Sequence, residues 1–432
     1  MIIRCAKFLI SLRASLVFML ILAGSMSILA QISDYTWGNV QIGGGGYVTG
    51  IAIHPGNKDH VYIRTDVGGA YRWDAIKRQW DQMLNWIGPE NDNLIGVDGI
   101  ALDPANPDRI YLALGQRIAE DGGLFRSEDR GKTWTRLMTA GFEGNGREAR
   151  WFGECIAVDP VNSRIIYAGT RKDGLWRSMD DGMTWKKIPD VPAGYTGIRP
   201  TGVRTLVFDP SQKTGNQSTT LYVGIPGTGL YFSKDGGATF SILTGSPKNP
   251  ARMQVVNSEL FVTHSTGVAL FSGGEWTDIT PEAGKNYVGL AVDETDSRKL
   301  VAAQRYRTFY NPIYRSHDKG KTWHHVNGKE LPFKLHIDIP WWPEKRFSSA
   351  TAGMAFAPGG KGELWYTDWF GSWFSPDIWA DTTHWYTPQK GHEETVVLTL
   401  NAPPAGALLY SGVADVFGFK HEKIDTYPKD NL

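Results

Sequence analysis

Cysteine is almost missing from this 432-residue chain: Cys5 and Cys155 are the only two. Cys5 lies in a leader-like N-terminus, so the remainder holds one thiol and no intrachain disulfide, and its stability must come from packing. Neither CxxC nor HExxH occurs, which argues against a structural zinc site, and no pattern calls for a cofactor. An excess of either charge is missing too. Lys plus Arg and Asp plus Glu each number 45, with no polybasic run, so neither nucleic acid nor an anionic lipid surface is an expected partner. No segment carries the apolar period of a helix, which excludes an architecture built on helices. The "GGGG" at 43–46 is not followed by the Lys-Ser/Thr of a phosphate-binding loop and reads as a place where backbones approach closely.

Long hydrophobic runs are also scarce. The one present, "LVFMLILAGSMSILA" at 16–30, follows Arg4, Lys7 and Arg13. Its short length, its interruption by Gly24 and Ser25, and the small residue at its end favour a secretory signal peptide over 1–30, cleaved near Ala30, rather than a membrane anchor. A secreted or periplasmic protein, free of the membrane after cleavage, is the expectation. Without those three basic residues, 42 basic face 45 acidic, a net charge of −3.

What the chain has in abundance is turn and strand chemistry: 50 Gly, 17 Trp and 17 Tyr, a mix that suits aromatic strands joined by tight turns. An eight-residue pattern, Ser-x-Asp-x-Gly-x-Thr-aromatic, recurs as "SEDRGKTW" (127–134), "SMDDGMTW" (178–185), "SKDGGATF" (233–240) and "SHDKGKTW" (316–323). This is the Asp-box. Its Asp accepts hydrogen bonds from the N–H groups of its own turn, and its Gly takes the left-handed conformation. Asp129, Asp180, Asp235 and Asp318 are therefore expected to be structural. Short apolar strands precede the boxes: "GIAIHP" (50–55), "GIALDP" (99–104), "CIAVDP" (155–160), "TLVFDP" (205–210), "GLAVDE" (289–294) and "GMAFAP" (353–358). With a degenerate unit after 250, the count is seven units of about 50 residues, the period of four-stranded propeller blades. The predicted fold is all-β: a seven-bladed β-propeller over 31–393.

Strands alternate in direction within a blade, so the Asp-boxes, between third and fourth strands, mark one face of the disc. "RTDVGGAYRW" (64–73) places Asp66 between second and third strands, on the opposite face. "GVADVFGFKH" (412–421) places Asp415 in the same context after another inner-type strand, "TVVLTL" (395–400). Residues 394–432 thus read as the first strands of a second propeller.

These stretches carry a resemblance. "YTWGNVQIGGGGYVTGIAIHP" with "YIRTDVGGAYRW", and "PPAGALLYSGVADVFGFKHE", closely resemble the segments that open the two propellers of glycoside hydrolase family 74, the xyloglucanases. The resemblance implies facing tandem propellers that cleave the β-1,4-glucan backbone of xyloglucan with inversion, with Asp66 as general base and Asp415 as general acid. Such a mechanism sets two carboxyl groups about 6.5–9.5 Å apart, one to protonate the leaving oxygen and one to activate water. Members of that family continue for several hundred residues beyond the second aspartate, so most of the second propeller is expected to be missing. The expected partners are xyloglucan or related β-glucan oligosaccharides. The aromatic-dense region 336–385 offers Trp341, Trp342, Trp369 and Trp373 for stacking on sugar rings, whereas Trp365, in a regular strand, reads as core. Arg64 and Arg72 could orient Asp66 or pair with surface acids, and Glu154 and His392 read as structural. Two other functions compete: a non-catalytic propeller that binds glycan or protein, and a sialidase-like exo-glycosidase. The second lacks the arginine motif its carboxylate substrate requires, and shared repeats do not transfer function.

Overall fold

Short apolar strands bounded by Gly- and Asp-containing turns pair with their neighbours in sequence, and among the described residues they build seven blades, six of them four-stranded and antiparallel and the seventh with an added strand. A computed structural model describes residues 38–432 apart from 120, 147–149, 196–199, 307–308 and 344–345; the signal-peptide reading falls outside the described residues. The chain divides into compact units 1–40 and 41–432, and the blades belong to the second.

The innermost strands of the seven blades are Val48–His54, Val97–Asp103, Ile156–Val158, Thr205–Phe208, Pro250–Val256, Tyr287–Val292 and Met354–Phe356. Each packs on the next, and Met354–Phe356 packs on Val48–His54, so the ring closes and leaves no free inner edge. Closure is aromatic. Trp365 of the seventh blade meets Trp73 and Trp80 of the first edge-on, with centroids 5.5 and 5.8 Å apart, a favoured ring geometry. The fifth blade carries no Asp-box yet has four strands; a tight turn at Gly273 and Gly274 replaces it.

The boxes are built as expected. Asp180 accepts from Thr184 N at 2.9 Å and from Ser178 Oγ at 2.8 Å. The Thr184 hydroxyl and N–H hold its carboxyl down at about 2. Asp181 and Gly182 take φ of 66° and 81°, the left-handed pair that the turn demands. Trp134 Nε1 donates to Met83 O of the neighbouring blade at 3.1 Å.

Two features depart from a plain ring. Phe333–His336 adds a fifth strand, parallel to Thr383–Tyr386, on the seventh blade. Val397–Asn401, Leu409–Val413 and Phe417–His421 form a separate three-stranded antiparallel sheet. Val413, Val416 and Phe419 of that sheet pack into a cluster with Trp341, Trp342, Phe347 and Trp373. Val397–Asn401 is exposed at every residue, Leu398 at 71%.

This packing corrects the stacking assignment of three tryptophans. Trp341 and Trp342 are 4% and 5% exposed and Trp373 is fully buried. Trp341 donates to Ile42 O at 2.6 Å and meets Phe419 edge-on, while Trp373 donates to Asp368 Oδ2 at 3.1 Å. Their rings fill the joint between the seventh blade and the C-terminal sheet, and no face is left for a ligand. Trp365 is core, as expected, at 6% exposed.

Candidate active site

Both aspartate hairpins form as the sequence implies. Asp66 follows strand Asn57–Thr65, where Thr65 N donates to Gly69 O at 3.0 Å to close the turn. Asp415 lies between Leu409–Val413 and Phe417–His421 with φ of 62°, a conformation that Asp tolerates better than most residues. Their environments differ: Asp66 is 6% exposed and Asp415 is exposed.

Asp415 lines a cleft of about 430 Å³ whose walls also include Arg150, Trp151, Arg305, Phe309 and Trp369. Asp66 reaches it through Arg150, whose Nη1 makes a short ion pair with Asp66 Oδ2. The Arg150 guanidinium lies over both Tyr47 and Trp369, 5.0 Å from each centroid, and those two rings stack at 4.7 Å. Arg305 lies 3.5 Å above Trp151. These residues come from turns and links opposite the Asp-boxes, so the cleft occupies the face where blade loops are free to vary. Trp369, half-buried, is the member of the proposed stacking set that lines the cleft.

Arg64 and Arg72 do not touch Asp66. Arg64 is buried and donates to Glu154 Oε2 at 2.8 Å; Arg252 binds the other Glu154 oxygen at 3.3 Å. Glu154, which also accepts from Ile100 N at 2.8 Å, thus ties the second strand of the first blade to the innermost strands of the second and fifth. Arg72 pairs with Asp81 at 3.0 Å.

The residues that do tune Asp66 carry no local motif. Burial pushes the Asp66 carboxyl up to about 7, and the neighbouring Glu394 carboxyl pushes the same way against Arg150. Glu394, 4% exposed, is itself pushed up to about 8 by burial. Asp368 holds the same turn position in the seventh blade, in "TDWFG", and burial pushes its carboxyl up to about 7 as well, so what differs between the two turns is the set of partners. The Asp368 carboxylate is occupied by N–H donors from Ser349, Phe370, Gly371 and the Trp373 indole, at 3.0–3.2 Å.

The two classes of tryptophan predict different damage. Trp341→Ala should destabilise the fold by about 3–5 kcal/mol, the usual range for emptying a buried aromatic site. Trp369→Ala should cost less stability than Trp341→Ala, since the ring is half-buried, and weaken oligosaccharide binding by up to about tenfold. Denaturant unfolding and calorimetric titration with a xyloglucan oligosaccharide separate them.

Residues 124–137 match the BNR-Asp box repeat. Over 94% of its length the chain is 33% identical to a xyloglucanase of a Paenibacillus species, covering 46% of that protein. It is 32% identical over 91% to a xyloglucanase of Acetivibrio thermocellus, covering 54%. Solved structures of the GH74 xyloglucanase from Xanthomonas campestris and of a Niastella koreensis GH74 enzyme each superpose with a TM-score of 0.81 at 32% identity, covering 92% of this chain and 62% of theirs. The chain spans about half the length of the curated relatives it matches. With the ring of Asp-box blades and both aspartate hairpins in place, the chain is similar over nearly its whole length to xyloglucanases of glycoside hydrolase family 74.

Proposed function

We propose that the protein is a glycosidase that cleaves the β-1,4-glucan backbone of xyloglucan with inversion. Asp66 is the general base and Asp415 the general acid. The observation that carries this reading is that Asp415 lines an aromatic-walled cleft whose wall also holds Arg150, the ion-pair partner of Asp66. Trp369 offers a ring for stacking, and Arg150 and Arg305 offer charged N–H donors for sugar hydroxyls. The relatives named xyloglucanase supply the substrate class.

We assign residues 31–393 to the first propeller and 394–432 to the opening of a second. The fully exposed strand Val397–Asn401, with Leu398 and Leu400 uncovered, supports that division, since an inner propeller strand is normally buried by the neighbouring blade. In a cleft completed by a second ring, the ring and the sugar would bury Asp415, the condition a general acid requires. Export by the N-terminal signal, with cleavage near Ala30, fits an extracellular polysaccharide substrate.

The test is digestion of xyloglucan by this chain and by a version extended through the coding sequence that follows Leu432. Release of oligosaccharides from at least one supports the reading. Tight binding without cleavage by both would favour the non-catalytic alternative, whose support is the exposed Asp415.

A further inference from the structure

The buried group beside Asp66 that the mechanism leaves unused is Glu394. Its Oε2 lies 3.0 Å from His392 Nε2, and His392 Nδ1 lies 3.0 Å from Gln389 Oε1. Gln389 Nε2 donates to Ser372 O at 2.6 Å. A backbone carbonyl only accepts, so this contact fixes the Gln389 amide with its oxygen toward His392. His392 must therefore donate from Nδ1. In a neutral ring Nε2 is then a lone pair, and the hydrogen in the Nε2···Oε2 contact belongs to Glu394.

Burial favours this neutral arrangement. His392 is fully buried and is pushed down to about 4, while Glu394 is pushed up to about 8. Among the described residues, the other ionisable groups around Glu394 add no cation to hold it ionised. From the first blade these are Asp66, which shares a hydrogen bond with Glu394, and Tyr71, which meets His392 edge-on at 5.0 Å; the Thr65 hydroxyl and the N–H groups of Val67 and Gly68 also face the Glu394 carboxyl and favour its ionised form, but burial outweighs them. Adjacent Glu393 turns away to the N–H groups of Ile42 and Gly43. Arg150, on the link before the third blade, is engaged by Asp66. Glu394 is also held in place. A Cβ at Gly46 or Gly68 would come within 2.5 and 2.4 Å of its side chain, so any larger residue there would displace it.

We propose that Glu394 is a positioning residue for Asp66: as a neutral acid donating to His392, it leaves Asp66 the single negative charge facing Arg150, ready to take a proton from water. The part of this that concerns turnover rests on the proposed function; the protonation state does not.

Three measurements test it. In wild type, proton uptake on Glu394 near 8 and on Asp66 near 7 should give a bell-shaped pH profile for kcat/KM. Glu394→Gln keeps a neutral donor to His392. It should retain kcat/KM within about threefold at pH 7.5 and lose the part of the alkaline limb that titrates near 8, leaving the fall set by the general acid. The same variant reports through stability without any turnover. The folded pKa of Glu394 is raised above its unfolded value, so its contribution is full below about 4.5 and is lost as pH rises through about 8. The fall in unfolding midpoint from pH 5 to 8.5 should therefore be smaller in Glu394→Gln than in wild type. Selective 15N-histidine spectra of the wild-type chain need no variant and should show His392 neutral, with hydrogen on Nδ1, from pH 5 to 8. An imidazolium His392 over that range, or a stability profile that Glu394→Gln leaves unchanged, overturns the assignment. A failure of turnover alone, with both of those results as expected, counts against the proposed function and not against Glu394.

Discussion

Asp66→Asn should lower kcat/KM on xyloglucan by about two to four orders of magnitude, the usual contribution of a positioned acid or base, while cooperative unfolding is retained. Asn keeps the shape of the side chain and removes its ability to accept a proton from water. Asp415→Asn should cause a comparable loss by removing the proton donor to the leaving oxygen. Asp129→Asn is the control. That carboxylate accepts from Thr133 N at 2.9 Å and from Ser127 Oγ at 2.8 Å within its own turn, so its loss should lower stability and leave turnover intact. The pH dependence carries the same information. A base must be ionised, and burial raises the Asp66 carboxyl to about 7, so turnover should fall as pH drops through that value and the fall should vanish with Asp66→Asn. Steady-state kinetics across pH, with circular dichroism of each variant, makes the comparison.

Asp98→Asn should lower stability by about 3–5 kcal/mol, the range for removing one partner from a buried ion cluster. Asp98 is fully buried in the second blade and receives both Arg171 and Arg204. Arg171 Nη2 and Nε lie 2.6 and 3.0 Å from its oxygens, and Arg204 Nη2 and Nη1 lie 2.8 and 3.0 Å from them. The two arginines are themselves buried and belong to the third and fourth blades, so one carboxylate links three blades. Asn would leave two guanidinium groups without the negative charge that offsets their desolvation. Although burial opposes it, the two guanidinium groups hold the Asp98 carboxyl well below its ordinary value. Its stabilising contribution is therefore present above about pH 3.8 and lost as pH falls toward the folded value. Urea unfolding of wild type and variant at pH 7 and at low pH measures both effects: the gap should narrow on acidification.

The fold was legible because its signals are local. Each Asp-box sets its own turn through contacts two to four residues apart, and each inner strand announces itself as a short apolar run. Asp66 and Asp415 were legible for the same reason, each sitting in a recognisable hairpin. Arg150 and Glu394 were not. They reach Asp66 from distant parts of the chain, brought there by ring closure and by the segment that leaves the seventh blade, and neither carries a motif. Arg64 lies two residues before Asp66, yet its guanidinium goes to Glu154 near the ring axis. The tryptophans show the complementary failure. Aromatic density between 336 and 385 marked a place where rings gather, but composition does not say which ring faces outward. Trp341, Trp342 and Trp373 went into the joint beneath the C-terminal sheet, and Trp369 went to the cleft. The twin turn at Asp368 makes the same point for carboxylates: identical local sequence logic gives one saturated by N–H donors and one facing an arginine.

The configuration of the sugar released first decides whether Asp66 and Asp415 act as a base and an acid across one linkage. Proton NMR during digestion of xyloglucan, recorded before mutarotation, reports the new reducing end. Two carboxyl groups that bracket one linkage, with water admitted between base and sugar, give inversion, so the α-anomer should appear first and relax toward the equilibrium mixture. Initial appearance of the β-anomer would mean a covalent intermediate and a carboxyl pair too close to admit that water, and would contradict the assignment of Asp66 and Asp415.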